Sequence, residues 1–152
     1  TLFPYTTLFR SYLVVRHRNH LGAMTSTALD FTNSALMVDF SQASTPTFGT
    51  TSVSARRLLE PDVYGLRAGN TNMKANDVNF QIIYNGDFND RLPILNKVGV
   101  ATPLNVVPGY YLEDVNLDGI VKYNGDGNDR VIILNNVGPA TPLNVVTQQP
   151  PN

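Results

Sequence analysis

The C-terminal half of this 152-residue chain contains an internal duplication. Residues 84–107 read YNGDFNDRLPILNKVGVATPLNVV and residues 123–146 read YNGDGNDRVIILNNVGPATPLNVV, which are identical at 19 of 24 positions. The offset between the copies is constant at 39 residues. Two copies are too few for a solenoid, in which each unit is covered by its neighbours. The duplication therefore predicts a pair of units that pack on each other.

Each copy has the same predicted order: an Asp/Asn loop, a short strand, a second loop and a helix. In the second copy the strand is expected at 120–123, and Asp126 or Asn128 is expected to cap the helix. The helix should end at Gly138, as its counterpart should at Gly99. Apolar residues spaced by three and four mark the helix face, namely Val131, Ile133, Leu134 and Val137. The ATPLNVV tails should be extended and cover the partner unit.

The loop before the second helix has the spacing of a calcium loop. Asp114, Asn116 and Asp118 supply side-chain oxygens at alternate positions, and Gly119 permits the sharp turn that follows. The main-chain carbonyl of Ile120 would be the next ligand. Alternate residues of a tight turn converge on one point, and Ca²⁺ accepts about six to eight oxygens there.

The twelfth loop position, a bidentate Glu in an EF-hand, is Gly125 here. We therefore expect Asp129 to close the site, with Asp126 as the second choice. The competing interpretation is an Asx turn that caps the helix and binds no ion.

The first copy lacks this loop pattern, and two alignments stay open. Either residues 70–72 (Asn-Thr-Asn) correspond to 114–116, with Lys74 at the third ligand position, or Asp77 and Asn79 correspond to Asp114 and Asn116. Both alignments remove the third carboxylate, so this site should be weak or empty. Its remaining candidate ligands are Asp77, Asn79, Asp87 and Asp90.

Composition excludes several classes of function. A formal charge of −1 argues against a nucleic-acid partner, and no apolar run approaches a membrane span. Without Cys there is no disulfide or thiolate zinc site, and two His leave little for a histidine metal centre. Ten Asp and seventeen Asn against two Glu favour loops with oxygen ligands over helices. No nucleophile–base pair or phosphate loop is recognisable, so we expect no enzymatic activity.

Residues 1–11 (TLFPYTTLFRS) resemble a translated sequencing adapter and are expected to be a non-native artefact. The authentic chain would then begin near Tyr12, have 141 residues and carry a charge of −2. The absence of a signal peptide would in that case carry no information about localisation.

Residues 12–66 are expected to form an incomplete β-rich domain. Strands are predicted at 12–16 and 35–40, with Ser/Thr-rich connections between them. The overall expectation is a mixed α+β chain: a truncated antiparallel β-sandwich-like segment, followed by one repeat at 67–107 and a second at 108–152.

The motif DVNLDGIV (residues 114–121) followed by a helix resembles the dockerin-type repeat, a pair of calcium loop–helix units. The insertion KYNGDGND departs from that pattern. The longer form, together with YLVVRHRNHLGAMT at residues 12–25, is similar to the C-terminal region of large secreted, haemagglutinin-like proteins of Bacteroidota. The resemblance implies an extracellular or cell-surface module of the type IX secretion route.

Three features outside the loops invite a functional interpretation. RHRNH (residues 16–20) is the one His cluster, and a polar turn is favoured there over a metal or sugar contact. Core packing between the units is favoured for residues 110–111 (Tyr-Tyr), and local packing for Arg91 and Arg130.

The leading functional hypothesis is a calcium-stabilised structural accessory module. A dockerin-type protein-binding module and a carbohydrate-binding adhesin fragment are the alternatives, with another protein or a surface glycan as partner.

Overall fold

The computed structural model of the chain describes residues 10–31, 36–49, 56–72 and 80–148. The fold is mixed α+β, with two helices and small antiparallel strand pairs. The N-terminal segment contains β1 (Arg10–Ser11), β2 (Val14–Val15), β3 (Ala23–Met24), β4 (Leu29–Asp30), β5 (Arg56–Glu60) and β6 (Val63–Leu66). The repeats contain β7 (Gln81–Ile83), α1 (Arg91–Val98), β8 (Val106–Pro108), β9 (Ile120–Lys122), α2 (Asp129–Val137) and β10 (Val145–Thr147).

The two copies exchange their C-terminal tails. The tail strand of copy one, β8, pairs antiparallel with β9 of copy two, and the tail strand of copy two, β10, pairs antiparallel with β7 of copy one. Helix α1 packs against β8 and β9, helix α2 packs against β7 and β10, and the helices contact each other. Equivalent elements therefore have equivalent neighbours, as expected for two copies related by an approximate two-fold axis. The prediction for the ATPLNVV tails is confirmed only at their ends: β8 and β10 are extended and pair with the partner unit, whereas residues 101–105 and 140–144 contain turns.

One hydrophobic core joins the repeats to the N-terminal segment. Six of its repeat residues form pairs separated by the duplication offset: Ile82 with Val121, Ile94 with Ile133, and Val98 with Val137. Leu21 and Ala23 of the N-terminal segment belong to the same cluster, as does Ala68 at the start of copy one. Leu21 is fully buried, so the N-terminal segment contributes to the same core as the duplicated units.

The N-terminal segment differs from its predicted strands. The strand predicted at 12–16 is reduced to β2, and the one predicted at 35–40 is wrong over its described part, 36–40, which contains no strand. The Asp39 carboxylate accepts hydrogen bonds from the Ser41 N–H (2.8 Å) and hydroxyl (2.6 Å). This Asx-type turn competes with strand pairing. The described residues form three two-stranded ladders here, and the sandwich remains a prediction.

The sequence predicted the C-terminal ends of the helices correctly, but not the capping of the N-terminal end of α2. Gly99 and Gly138 follow α1 and α2 with φ of 101° and 106°, and each donates its N–H to the helix carbonyl four residues earlier. At the other terminus the capping prediction is wrong. Asn128 precedes α2 without a side-chain cap and donates its amide to the Gly125 carbonyl (2.6 Å) instead.

Neither helix in the described part of the chain has the length and apolar character required to cross a membrane. Of the predicted artefact, Arg10 and Ser11 are described, and they pair with Asp30 and Leu29.

Candidate metal centre

The predicted calcium loop is folded around the buried carboxylate of Asp114. This side chain is fully buried, and its Oδ2 accepts hydrogen bonds from the Gly119 N–H (3.2 Å) and from Arg18 (3.2 Å). Its Oδ1 is buried without a hydrogen-bond partner. A buried, unpaired carboxylate oxygen is costly, which makes this atom the strongest candidate for contact with a cation.

The rest of the loop turns by local side-chain hydrogen bonds. Asn116 Oδ1 accepts the Asp118 N–H (3.1 Å), and Asp118 Oδ1 accepts the Ile120 N–H (2.9 Å). The Asn116 amide donates to Asp118 Oδ2 (3.1 Å) and to the Gly127 carbonyl (2.8 Å). Two residues with positive φ, Leu117 (64°) and Gly119 (82°), complete the reversal. Asp114, Asn116 and Asp118 are thereby held on one short loop.

Asp129 makes contacts that the sequence did not predict. Its Oδ1 accepts the N–H groups of Val115 (2.7 Å) and Asn116 (3.2 Å), and its Oδ2 accepts the Lys122 N–H (2.7 Å). The first residue of α2 therefore ties the loop to β9. Burial raises the pKa of Asp129, and the three N–H donors act in the opposite direction. Its role as a calcium ligand stays a prediction.

Asp90 makes the same contacts in copy one. Its Oδ1 accepts the N–H groups of Thr71 (2.8 Å) and Asn72 (3.0 Å), and its Oδ2 accepts the Ile83 N–H (2.7 Å). Burial raises the pKa of Asp90 to about 7, while these N–H donors lower it. We call this arrangement, formed by Asp90 in copy one and Asp129 in copy two, the aspartate clasp.

The aspartate clasp supports one of the two alignments of the first loop. Thr71 and Asn72 donate to Asp90 as Val115 and Asn116 donate to Asp129, so residues 70–72 occupy the place of 114–116. Asn72 also donates to the Phe88 carbonyl as Asn116 does to that of Gly127. Asn70 therefore stands where copy two has Asp114. An amide replaces the central carboxylate, which removes a negative charge from the first loop.

The other predicted ligands are dispersed. Asp126 and Asp87 are exposed on the turn before each helix, and Asp77 and Asn79 lie outside the described residues. Within the described ranges, no group of three or more His, Asp or Glu side chains is arranged to hold a metal. The donor set of the second loop is thus the free Asp114 oxygen together with amide, carboxylate and carbonyl oxygens. Oxygen donors of this kind fit Ca²⁺ rather than a transition metal.

Arg18 and Asn19 are the site residues that the sequence analysis missed. The Arg18 guanidinium contacts Asp114 Oδ2 and donates to the Tyr111 carbonyl. The Asn19 amide donates to the carbonyls of Leu112 (3.0 Å) and Asp114 (2.8 Å). The RHRNH turn therefore packs on the second loop. In the sequence, the only sign that this turn has a role was its high proportion of polar residues.

The histidines of that turn contact each other rather than a third ligand. Their Nδ1 atoms are 2.9 Å apart, and the rings meet edge to face. Burial, with smaller contributions from His17 and Arg18, lowers the pKa of His20 to about 4. His20 is therefore neutral at neutral pH, in agreement with a polar turn.

The prediction that the tyrosine pair at 110–111 packs in the core between the units is wrong. Tyr110 is 72 % exposed and lies 3.4 Å from the Arg18 guanidinium, and Tyr111 carries the Lys97 ammonium over its ring at 3.4 Å. Local packing of the repeat arginines is confirmed, since Arg91 stacks on Tyr84 and Arg130 on Tyr123, the residues that directly follow β7 and β9.

Comparison of the chain with protein-family models, curated proteins and solved structures finds no match.

Proposed function

We propose that the chain is a structural accessory module that a calcium ion stabilises, and that it serves a secreted or cell-surface bacterial protein. The calcium ion would bind the loop of the second repeat. The observation that carries this proposal is the Asp114 carboxylate, which is fully buried and has one oxygen without a partner. The extracellular setting rests on the sequence resemblance alone.

The ligands would be Asp114, Asn116 and Asp118 through their side chains, and Ile120 through its carbonyl. Asp129 would close the site, with Asp126 as the second choice. A bound cation would supply Asp114 Oδ1 with the partner that it lacks. It would also reduce the repulsion between Asp114 and Asp129, because burial raises the pKa of Asp129 and the charge of Asp114 adds a small contribution in the same direction.

Copy one supports the proposal by contrast. It keeps the aspartate clasp at Asp90 but carries Asn70 in the position of Asp114. The contacts of the clasp are therefore common to both copies, and the charge at Asp114 is an addition specific to copy two. Because affinity for Ca²⁺ rises with ligand charge, we propose one calcium ion per chain, bound in copy two.

Isothermal titration calorimetry with CaCl₂ tests this proposal. We expect one site per chain with a Kd of about 10⁻⁴ to 10⁻³ M, the range of calcium sites in extracellular modules. Asp114→Asn keeps the side-chain volume and should abolish binding. Asp87→Asn, an equal change of charge on an exposed residue of copy one, should leave binding intact. Absence of heat with the wild-type protein, or undiminished binding by Asp114→Asn, would refute the proposal.

A further inference from the structure

We infer that Arg18 sets the calcium affinity of the second loop and couples that loop to the N-terminal segment, an inference that rests on the proposed function. Arg18 comes from a part of the chain nearly one hundred positions before the loop, and its guanidinium lies 3.2 Å from Asp114 Oδ2. It is thus a fixed positive charge beside the carboxylate that would bind the ion.

The position of Arg18 is determined by several contacts. Its guanidinium donates to the Tyr111 carbonyl, contacts the Asp114 carbonyl at 3.4 Å, and stacks on the Tyr110 ring at 3.4 Å. The side chain is 20 % exposed and that of Asp114 is fully buried. A charge pair of this burial is screened less by solvent than one on the surface.

The two oxygens of Asp114 have different neighbours. Arg18 and a calcium ion can therefore contact the same carboxylate at once, although each weakens the binding of the other. Oδ2 faces Arg18 and the Gly119 N–H, and Oδ1 has no partner. A calcium ion can therefore bind at Oδ1 while Arg18 stays at Oδ2. Two cations on one carboxylate repel each other, so each weakens the binding of the other.

Arg18 accordingly has opposite effects on the two states of the loop. Without calcium it partly neutralises a buried carboxylate and keeps the loop folded. With calcium it lowers the affinity of the site. By linkage, a bound ion must weaken the attachment of the Arg18 side chain by the same factor. The N-terminal segment would thus be held more tightly when calcium is absent.

The loop does not depend on Arg18 alone for its shape. The Asn19 amide donates to the Leu112 and Asp114 carbonyls, and Asp129 holds the Val115 and Asn116 N–H groups. Removal of the guanidinium charge should therefore leave the ligand oxygens in place. The expected consequence is tighter binding rather than collapse of the site.

The test is calorimetric titration of CaCl₂ into the full chain and three variants. Arg18→Gln should bind calcium about tenfold more tightly than the wild type, within the usual range for coupled sites. Arg18→Lys keeps the charge and should stay close to wild type. Arg16→Gln removes an equal charge from an exposed arginine that stacks on Phe80, and should also be unchanged.

The outcomes separate the two proposals. If the wild type binds calcium and Arg18→Gln binds it equally or more weakly, the role of Arg18 is refuted and the calcium site stands. If neither protein binds, the proposed function fails and this inference fails with it. Circular dichroism at 222 nm reports whether Arg18→Gln is folded. Should it not fold, the side-chain NMR signal of Arg18 in the wild type must shift during calcium titration, and a constant signal would refute the coupling.

Discussion

At the scale of the residue, two aspartates determine the structure of the repeats. Asp90 and Asp129 each accept three main-chain N–H groups, two from the loop and one from the following strand. Their positions differ by the duplication offset of 39 residues. Both side chains are buried, at 1 % and 0 % exposure. These side-chain acceptors provide the hydrogen bonds that the main-chain N–H groups of the loop would otherwise lack.

Asp90→Ala should destabilise the protein by about 3 kcal/mol, because it leaves buried N–H donors without an acceptor. For a chain of this size the melting temperature should fall by roughly 6–12 °C. Asp87→Ala, three residues earlier and exposed, is the matched control and should cost less than about 0.5 kcal/mol. A thermal melt followed by circular dichroism measures both. Equal effects of the two variants would show that the aspartate clasp does not hold the loop.

The sequence predicted these residues but not what they do. Asp129 was expected to bind calcium because spacing shows which oxygens are near a loop, but not which N–H groups face them. The loop for which we propose calcium binding was recognisable because its candidate ligands, Asp114, Asn116 and Asp118, are close in sequence. Arg18 and Asn19 could not be predicted as partners of Asp114, since a contact across 95 or 96 positions leaves no local pattern.

At the scale of the element, the duplication predicted the helices and strands of the repeats better than residue propensities predicted the strands of the N-terminal segment. The two helices and their terminal glycines follow from apolar spacing and from backbone conformation, both of which are local. The strand predicted at 35–40 failed because hydrogen bonds of the Asp39 side chain favour a turn. The pair β5–β6 was missed because it lies in a segment without clear alternation. The sequence predicted that each tail covers the partner unit, but not the strand with which it pairs.

The exchanged tails should contribute unequally to stability. Val107 in β8 and Val146 in β10 occupy equivalent positions, but Val146 is buried at 7 % exposure whereas Val107 is partly exposed. Val146→Ala should therefore cost about 2 kcal/mol and Val107→Ala about 1 kcal/mol. The free energy of unfolding from urea titration measures the difference. Equal costs, or a larger cost at Val107, would contradict the asymmetric packing of the two tails.

At the scale of the whole molecule, the approximate two-fold symmetry of the repeats is broken where Arg18 of the N-terminal segment and the first residues of copy one pack on copy two. Asn136 of copy two accepts a hydrogen bond from Arg67 through its carbonyl (2.9 Å) and donates its amide to Ala68 (2.6 Å). Its counterpart in copy one is Lys97, which instead stacks on Tyr111. Asp114, which contacts Arg18, likewise replaces Asn70. These differences between the copies therefore coincide with contacts that only one copy makes.

The loops of the duplicated unit are thus held by aspartates, and we propose that the additional charge of the second loop binds a cation. A ligand that binds only the folded state stabilises it, by about 2.7 kcal/mol at one hundred times its Kd. Structural calcium should therefore appear as a change in melting temperature, whether or not the protein has a further partner.

The most direct test of the central claim is the melting temperature of the full chain in saturating CaCl₂ and in EDTA. We expect calcium to raise the melting temperature by roughly 5–10 °C. Asp114→Asn should melt at the same temperature in both conditions, and Asp87→Asn should respond like the wild type. An unchanged melting temperature of the wild type, or an equal calcium response in Asp114→Asn, would contradict the account.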